Sequence, residues 1–329
     1  MKPRLSLACW EYPRTKPILD GSVSPDGIEL VPVKSHPANS FWRVFRFNEF
    51  DVTEMSLSSF IIAKSKGKAP WKAIPVFPCK IFFHTHVLCN VDSEIEKGAD
   101  LKGKRIGLPE YQMTAAVWLR GILEEEFGVK PADLKWFQER EEHRMPIKVP
   151  GDVSLEIIPK EKKIFEMVLN REIDAVLYSH SPGSLVDRST MPLHKESKIK
   201  WLFPNRKAEE IRYYQKTGIF PANHVIVIKD EIIREHPWSP VNIFMAFMKA
   251  KAISRDSLND YSLATAPEAV WQLNELEEQA HIFGGDPYPY GIKANRAMLE
   301  KLIDYCYRQG VAERKVGIDE LFVENLMDR

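Results

Sequence analysis

Short apolar runs alternate along the chain with longer segments in which apolar residues recur at helical spacing. The runs predict buried or half-buried strands, and the spaced segments predict helices. The predicted strands cover residues 5–8, 27–33, 51–56, 73–77, 85–89, 155–159, 174–178 and 223–228, with a turn into a further strand at 101–109. The predicted helices cover residues 39–46, 114–127, 161–170, 240–255, 267–283 and 294–309, and Ser58 and Ser59 are placed to cap another that runs to residue 63.

The alternation of strands and helices favours largely parallel sheets with helices on their faces. We predict a two-lobed α/β clamp in which each lobe is a mixed, mostly parallel sheet flanked by helices. Lobe one comprises residues 1–89 and 225–329, lobe two comprises 90–224, and the hinge crossings lie near 86–91 and 218–226. A ligand is expected in the cleft between the lobes, where strands end and helices begin. The polar segment 138–151 predicts a surface loop or a flap.

Composition narrows the class of protein. The 329 residues are 44% hydrophobic and 28% charged, with a formal net charge of zero. This balance is typical of a globular chain and gives no bulk attraction to nucleic acid or to an anionic membrane. No apolar run approaches the roughly 20 residues of a membrane helix. We therefore expect neither nucleic acid nor membrane as a partner.

Cysteine usage and the N-terminal segment predict the compartment. The four cysteines have no CxxC spacing and no short disulfide framework, which favours reduced thiols. The apolar run at residues 5–10 is too short for the core of a signal peptide and is interrupted by Glu11. The sequence therefore predicts a cytoplasmic protein.

Several strings are more specific than any periodicity. They are residues 7–12 (LACWEY) with Arg14-Thr15, 50–59 (FDVTEMSLSS), 74–78 (IPVFP), 107–118 (GLPEYQMTAAVW), 217–221 (TGIFP) followed by His224, and Tyr290-Gly291 before Asn295. Together they resemble the 4,5-dihydroxyphthalate decarboxylase family, a cytoplasmic branch of the type II periplasmic-binding-protein superfamily. The resemblance covers nearly the whole chain.

The resemblance implies a carboxy-lyase that acts on a hydroxylated aromatic carboxylate. The first candidate reaction converts 4,5-dihydroxyphthalate to protocatechuate by protonation of the ring carbon that bears the leaving carboxylate. Two alternatives remain open, because a fold does not fix a function. One is a non-catalytic organic-acid-binding protein of the transporter type. The other is a different lyase or synthase on the same clamp, as in menaquinone or thiamin precursor synthesis.

The proton donor is sought among histidines and carboxylates near the predicted cleft. His84 is the first candidate, because it precedes the first hinge strand and histidine titrates near neutrality. Glu110 and His224 complete the predicted catalytic set. Glu54 and Glu110 lie at strand ends, where either could accept a phenolic proton or orient a histidine, or could be a plain capping carboxylate.

Substrate binding is predicted at two loops that lead into helices. The loop at residues 109–114 combines free backbone N–H groups with Gln112, Met113 and Thr114, and suits a carboxylate. The equivalent loop in lobe one carries three serines, and Arg14 is a candidate carboxylate clamp. Four aromatic side chains are candidates for contact with an aromatic ring. The remaining predicted binding residues are Trp10, Tyr12, Glu54, Ser56, Ser58, Ser59, Tyr111 and Tyr178.

No cofactor is expected, because a phenol hydroxyl can itself push electron density onto the reacting carbon. His84-Thr85-His86 has a spacing that would place both rings on one side of a strand, and His224 could join them across the second hinge. A divalent metal on His84, His86 and His224 is therefore the alternative, although HxH alone is a weak signal. The expected partners are a small aromatic carboxylate and, as an open alternative, further copies of the chain in a homo-oligomer.

Overall fold

The fold consists of two mixed β-sheets with helices on their faces, as predicted. The computed structural model describes residues 2–140, 146–179, 184–258, 260 and 269–329. The strands are β1 (Arg4–Cys9), β2 (Glu29–Lys34), β3 (Val52–Ser56), β4 (Trp71–Ile74), β5 (Val87–Asn90), β6 (Arg105–Leu108), β7 (Lys135–Gln138), β8 (Ser154–Ile157), β9 (Ala175–Leu177), β10 (Ile199–Trp201) and β11 (His224–Lys229).

The first sheet has the order β2-β1-β3-β11-β4, and the second has the order β10-β5-β9-β6-β7-β8. In the first sheet β1 is parallel to β2 and β3, whereas β11 runs antiparallel between β3 and β4. In the second sheet β6 is parallel to β7 and β9, while β5 is antiparallel to β9 and β10. A strand from residues 224–229 thus completes a sheet that residues 4–74 begin.

Helices cover the faces of both sheets. They are α1 (Lys16–Leu19), α2 (Pro37–Phe47), α3 (Leu57–Ser65), α4 (Thr114–Phe127), α5 (Ile164–Leu169), α6 (Arg206–Thr217), α7 (Asp230–Glu235), α8 (Ser239–Leu258), α9 (Gln272–Phe283), α10 (Arg296–Arg308) and α11 (Ile318–Leu321). No helix in the described ranges is long and apolar enough to cross a bilayer.

Helix α4 forms part of the joint between the two halves of the core. It comes from the second sheet and packs against α3 and α10, which belong with the first sheet. A methyl group on Gly121 would lie only 2.2 Å from the ring of Tyr305, so the two helices need a glycine there to approach so closely. Buried hydrogen bonds join them as well, from Arg120 Nε to Gln309 Oε1 (2.8 Å) and from Gln309 Nε2 to the Val117 carbonyl (2.9 Å).

Most predicted elements are present with shifted ends. The helix at 114–127 is confirmed to the residue, because Gly128 adopts the left-handed conformation that ends it (φ 68°). The sequence did not predict β7, β10 or α6. Residues 267 and 268, the predicted start of another helix, lie outside the described residues, and the helix is described from Gln272.

Three local predictions are corrected. Ser58 and Ser59 lie inside the first turn of α3 rather than capping it, and Ser56 takes the N-cap position without a side-chain capping bond. His84 and Thr85 lie on a short 3-10 turn, so the strand begins only at Val87. The segment 138–151 is not simply a surface loop, since Gln138 ends β7 and Glu139 and Arg140 are buried; residues 141–145 lie outside the described residues.

The chain passes from the first sheet to the second between β4 and β5, and returns between β10 and β11. Strand β5 belongs to the second sheet. The predicted lobe boundaries at 89 and 225, and the hinges around them, stay predictions.

Candidate active site

A cleft of about 490 Å³ lies at the ends of strands from both sheets. It is bordered by residues that follow β1, β6, β7 and β9, by the last residue of β3 and by the first residue of β11. In parallel sheets this edge is where ligands bind, because strands end and helices begin there. Of the sequence-predicted site residues, those that line it are Trp10, Tyr12, Ser56, His86, Met113, Thr114, Tyr178 and His224.

An ion pair between the partly buried His224 and the buried Glu54 lies on the wall formed by the first sheet. Register pairs β11 with β3 so that His224 lies opposite Ser56, two residues beyond Glu54. Nδ1 of His224 lies 2.6 Å from Oε1 of Glu54, and the Tyr12 hydroxyl donates to the same oxygen at 2.7 Å. The second oxygen of Glu54 accepts the Trp10 backbone N–H at 2.8 Å. Glu54 is buried behind the wall, while His224 and Tyr12 reach the cleft.

Electrostatics keep the His224 ring charged at neutral pH. Burial disfavours the charge, but the neighbouring Cys79 sulfur and the Glu54 carboxylate outweigh burial and raise the pKa of His224 to about 10. Burial would likewise raise the pKa of Glu54, yet the paired imidazolium and two further hydrogen bonds hold it below its ordinary value. The wall therefore presents an imidazolium whose charge is balanced from behind.

The wall formed by the second sheet is aromatic. Trp201 has Tyr178, His86 and His194 around it, at ring-centroid distances of 5.9, 6.0 and 6.2 Å. The Tyr178 hydroxyl lies 3.0 Å from Nδ1 of His194. Burial, assisted by the positive charge of Arg206, lowers the pKa of His86 to about 4, so this ring is neutral at physiological pH.

A second buried charge cluster borders the cleft at Arg140. Its guanidinium donates to Glu110 (Nη1 to Oε1, 3.0 Å) and to Asp187 (Nε to Oδ1, 2.7 Å). Arg140 and Asp187 line the cleft, whereas Glu110 does not. Glu110, predicted as a catalytic acid, is instead the buried partner of a permanent cation.

The two loops that were predicted to bind a substrate carboxylate lie side by side and form hydrogen bonds with each other. The Thr114 hydroxyl accepts the Ser58 backbone N–H at 3.0 Å and lies 3.0 Å from the hydroxyls of Ser56 and Ser58. Ser58 Oγ donates to the Gln112 carbonyl at 2.7 Å, and Ser59 Oγ donates to Ser56 Oγ at 3.0 Å. We call these contacts the hydroxyl seam. They use groups that the sequence suggested for a ligand, and within the seam only Ser56 and Thr114 reach the cleft.

His84, the first catalytic candidate, lies away from the cleft. Its side chain is fully buried, with Nε2 3.5 Å from Glu209 Oε1. Its ring packs against Tyr213 (centroids 5.0 Å apart), Phe82 and Phe203. The 3-10 turn separates it from His86, which does line the cleft. This placement suits a structural histidine rather than a proton donor in the cleft.

Three other predicted binding residues also lie elsewhere. Arg14 donates to the Pro78 carbonyl and stacks on Tyr288 (4.0 Å to the ring centroid), beside a separate pocket. Tyr111 is fully buried, with the Arg120 guanidinium 3.6 Å from its ring centroid. The buried side chain of Gln112 does not reach the cleft lining.

The predicted metal set is divided in the same way. Only His86 and His224 of the three histidines line the cleft. Among the residues that the structure describes, no group of three or more histidine, cysteine or carboxylate side chains is arranged to hold a metal ion.

Sequence reasoning missed several residues that line the cleft. They include His36, Phe41, Cys79, Arg140, Asp187, His194, Trp201, Arg206 and Asn223. Cys79 directly follows the string 74–78, and Asn223 is the first residue of the predicted strand 223–228. Their positions in the sequence could therefore have identified both as candidates. Arg140 and Asp187 lie in polar segments and meet across 47 positions of the chain, a signal that no local pattern carries.

Comparisons with known proteins agree with this architecture. No protein-family model matches the chain. The chain is 34% identical over 326 residues to a 4,5-dihydroxyphthalate decarboxylase of Comamonas testosteroni. The matched region covers 98% of this chain and 96% of that protein. It is 40% identical over 187 residues to a protein of the same name from Pseudomonas putida, covering 55% of this chain and 72% of that one.

Solved structures share the fold at low sequence identity. The periplasmic aliphatic sulphonate binding protein SsuA from Escherichia coli superposes with a TM-score of 0.56 at 13% identity over 100% of both chains. The desulfurization enzyme DSZB superposes with a TM-score of 0.51 at 14% identity, over 99% of this chain and 98% of that one. Binding proteins and an enzyme thus share this two-sheet architecture, and the predicted fold class is confirmed.

Proposed function

The chain belongs to the 4,5-dihydroxyphthalate decarboxylase family, and from that premise we propose that it releases carbon dioxide from a hydroxylated phthalate bound in the cleft. The first candidate reaction is 4,5-dihydroxyphthalate to protocatechuate (3,4-dihydroxybenzoate). Membership of a family of carboxy-lyases does not favour the two alternatives, a non-catalytic binder and a different synthase. The observation that carries the mechanism is the His224–Glu54 pair at the cleft wall.

The reaction consumes one proton. A dianionic phthalate loses one carboxylate as neutral carbon dioxide, so the ring carbon that carried it must gain a hydrogen. In the proposed step His224 gives its Nε2 proton to that carbon while the para hydroxyl pushes electron density towards it. A C–H bond forms, the C–C bond to the carboxylate breaks, and its electron pair returns to the ring. Water then reprotonates His224.

Glu54 is a positioning residue in this proposal, and Tyr12 contacts the substrate. Glu54 holds Nδ1 of His224 at 2.6 Å, which turns the opposite nitrogen away from the carboxylate. A pKa of about 10 keeps the donor protonated at neutral pH but makes it a weaker acid. The hydroxylated ring of the substrate must therefore be activated, and the Tyr12 hydroxyl at the cleft wall is the group we assign to contact a substrate oxygen.

The aromatic wall supports the choice of substrate class. Trp201, Tyr178 and Phe83 offer flat apolar surface to a benzene ring. Arg140 borders the same space but is held by two carboxylates, so we assign it to the framework of the site rather than to substrate binding. Orientation within a dry cleft supplies the remainder of the rate enhancement.

The test combines turnover with binding. Purified protein is incubated with 4,5-dihydroxyphthalate, and carbon dioxide and dihydroxybenzoate are measured for the wild type, His224→Gln and His281→Gln. We expect His224→Gln to lower kcat by about 10²–10⁴, the range for a positioned acid, with a much smaller change in the Kd of the substrate. The exposed His281 on α9 is the control and should change neither value. Wild-type protein that releases no carbon dioxide, or a His224→Gln variant with unchanged kcat, would overturn the proposal.

A cytoplasmic location stays a proposal. All four cysteines are free and buried, which supports a reducing compartment. Cell fractionation tests the location, and light scattering of purified protein tests for a homo-oligomer.

A further inference from the structure

Two of the cations that line the cleft have carboxylate partners. Arg140 is paired with Glu110 and Asp187, and His224 is paired with Glu54. Arg206 also lines the cleft, yet among the described residues no carboxylate lies within ion-pair distance of its guanidinium. This cation is therefore available to an anionic ligand.

The setting of Arg206 fixes where its charge lies. It is the first residue of α6, directly after the N-cap Asn205, whose side chain accepts the Ala208 N–H at 3.0 Å. Its guanidinium lies 4.0 Å from the ring centroid of Trp201. Stacking on an indole restrains the guanidinium and leaves its N–H donors free at the edge. The same indole belongs to the aromatic wall on which the substrate ring is proposed to lie.

We propose that Arg206 binds the carboxylate that stays on the ring, an inference that rests on the proposed function. The leaving carboxylate must lose its charge to become carbon dioxide, so a cation bound to it would stabilise the ground state more than the transition state. A cation on the retained carboxylate stabilises the ground state and the transition state equally, and it orients the ring. Arg206 is thus a specificity-determining residue for ring dicarboxylates, and it also holds the product after carbon dioxide has left.

Binding of the product tests which of the two carboxylates Arg206 contacts. The product 3,4-dihydroxybenzoate keeps only the retained carboxylate, and 3,4-dihydroxybenzamide has nearly the same shape without the charge. Calorimetry measures the Kd of both for the wild type, Arg206→Gln and Lys207→Gln. Lys207 is the matched control, because it is the next cation on the same helix but pairs with Glu275 and Glu278.

We expect Arg206→Gln to weaken binding of the benzoate by about 10- to 100-fold, the range for one charge-assisted hydrogen bond, and to change the Kd of the amide by less than about threefold. Lys207→Gln should leave both values unchanged. Equal losses for both ligands, or no loss for either, would overturn the proposal. So would a raised KM for dihydroxyphthalate in Arg206→Gln together with an unchanged Kd for the benzoate, because it would put the leaving carboxylate at Arg206.

These measurements need no turnover, so they separate this proposal from the reaction itself. Wild-type protein that binds in the expected pattern but releases no carbon dioxide would refute only the reaction. Active protein whose affinity for the benzoate is the same with and without Arg206 would refute only the role of Arg206. Thermal midpoints of the three proteins confirm that each is folded, and the kinetic counterpart is a larger rise in KM than fall in kcat for Arg206→Gln.

Discussion

Replacing Glu54 with glutamine tests whether the ion pair at the cleft wall controls the proton donor. The substitution keeps the shape of the side chain and its ability to accept a hydrogen bond, but removes the charge that opposes burial of the imidazolium. The pKa of His224, raised to about 10 in the native protein, should then fall towards the ordinary value of 6.5, while the Cys79 sulfur, which also raises it, stays in place. The donor would lose its proton at a lower pH than in the wild type.

The size of the effect follows from the titration. A donor with a pKa of about 10 is almost fully protonated at pH 8, whereas one at 6.5 is about 3% protonated, so the rate at pH 8 should fall by up to about 30-fold. At pH 5.5 both proteins keep a protonated donor, and their rates should be similar. Removing one partner of a buried ion pair also destabilises the fold by about 3–5 kcal/mol, so assays must stay below the thermal midpoint of the variant.

The assay is the pH profile of kcat for carbon dioxide release, compared among the wild type, Glu54→Gln and two controls. Tyr12→Phe removes one hydrogen bond from Glu54 but keeps the carboxylate, so its basic limb should stay near that of the wild type. Glu49→Gln removes a surface carboxylate paired with Arg43 and should change nothing. A Glu54→Gln profile that is lower at every pH, with its basic limb unmoved, would refute the reasoning.

Three further predictions concern stability. The pairing with Glu54 raises the pKa of His224 in the folded protein, so the contribution of the pair to the free energy of unfolding should be complete below pH 6.5 and should be lost as the pH rises towards about 10. Urea unfolding of the wild type and of Glu54→Gln at several pH values measures this contribution. A constant difference between the two proteins across that pH window would contradict the prediction. Arg140→Met leaves the buried Glu110 and the partly buried Asp187 without their cation and should cost about 3–5 kcal/mol by urea unfolding, while a loss below about 1 kcal/mol would show that the cluster is solvated. His84→Gln should lower the thermal midpoint but leave kcat within about threefold, and a drop in kcat of about 10²-fold or more would return His84 to the catalytic set.

The local sequence pattern was sufficient to predict a helix where its apolar residues are buried and a residue that ends helices follows them. In α4 the apolar residues are continuous with the core and Gly128 supplies the left-handed end, so both ends were predicted correctly. In α6 only Tyr213 is buried, and its strongly polar sequence carries almost no periodic signal. The sequence therefore missed the helix that begins at Arg206, and with it the cation on which the further inference depends.

Long-range pairing explains the differences at the site. Glu54 and His224 are 170 positions apart and meet only because β11 enters the first sheet beside β3. The sequence named both residues but could not pair them. His84 and His86 were expected to face the same way on a strand, whereas the 3-10 turn sends one into the core and the other to the cleft. Spacing rules hold only when the underlying element is right.

The close contact of α4 with α10 has a consequence for the kinetics of the protein. Gly121 lies directly against Tyr305, and the Arg120–Gln309 bond is buried, so separating the two helices would leave polar groups without partners at about 1–3 kcal/mol each. We therefore expect any widening of the cleft to keep this contact closed and to turn about it. Residues that never touch the substrate would then determine how fast product escapes, and selection for faster turnover would act on the α4–α10 contact as much as on the cleft.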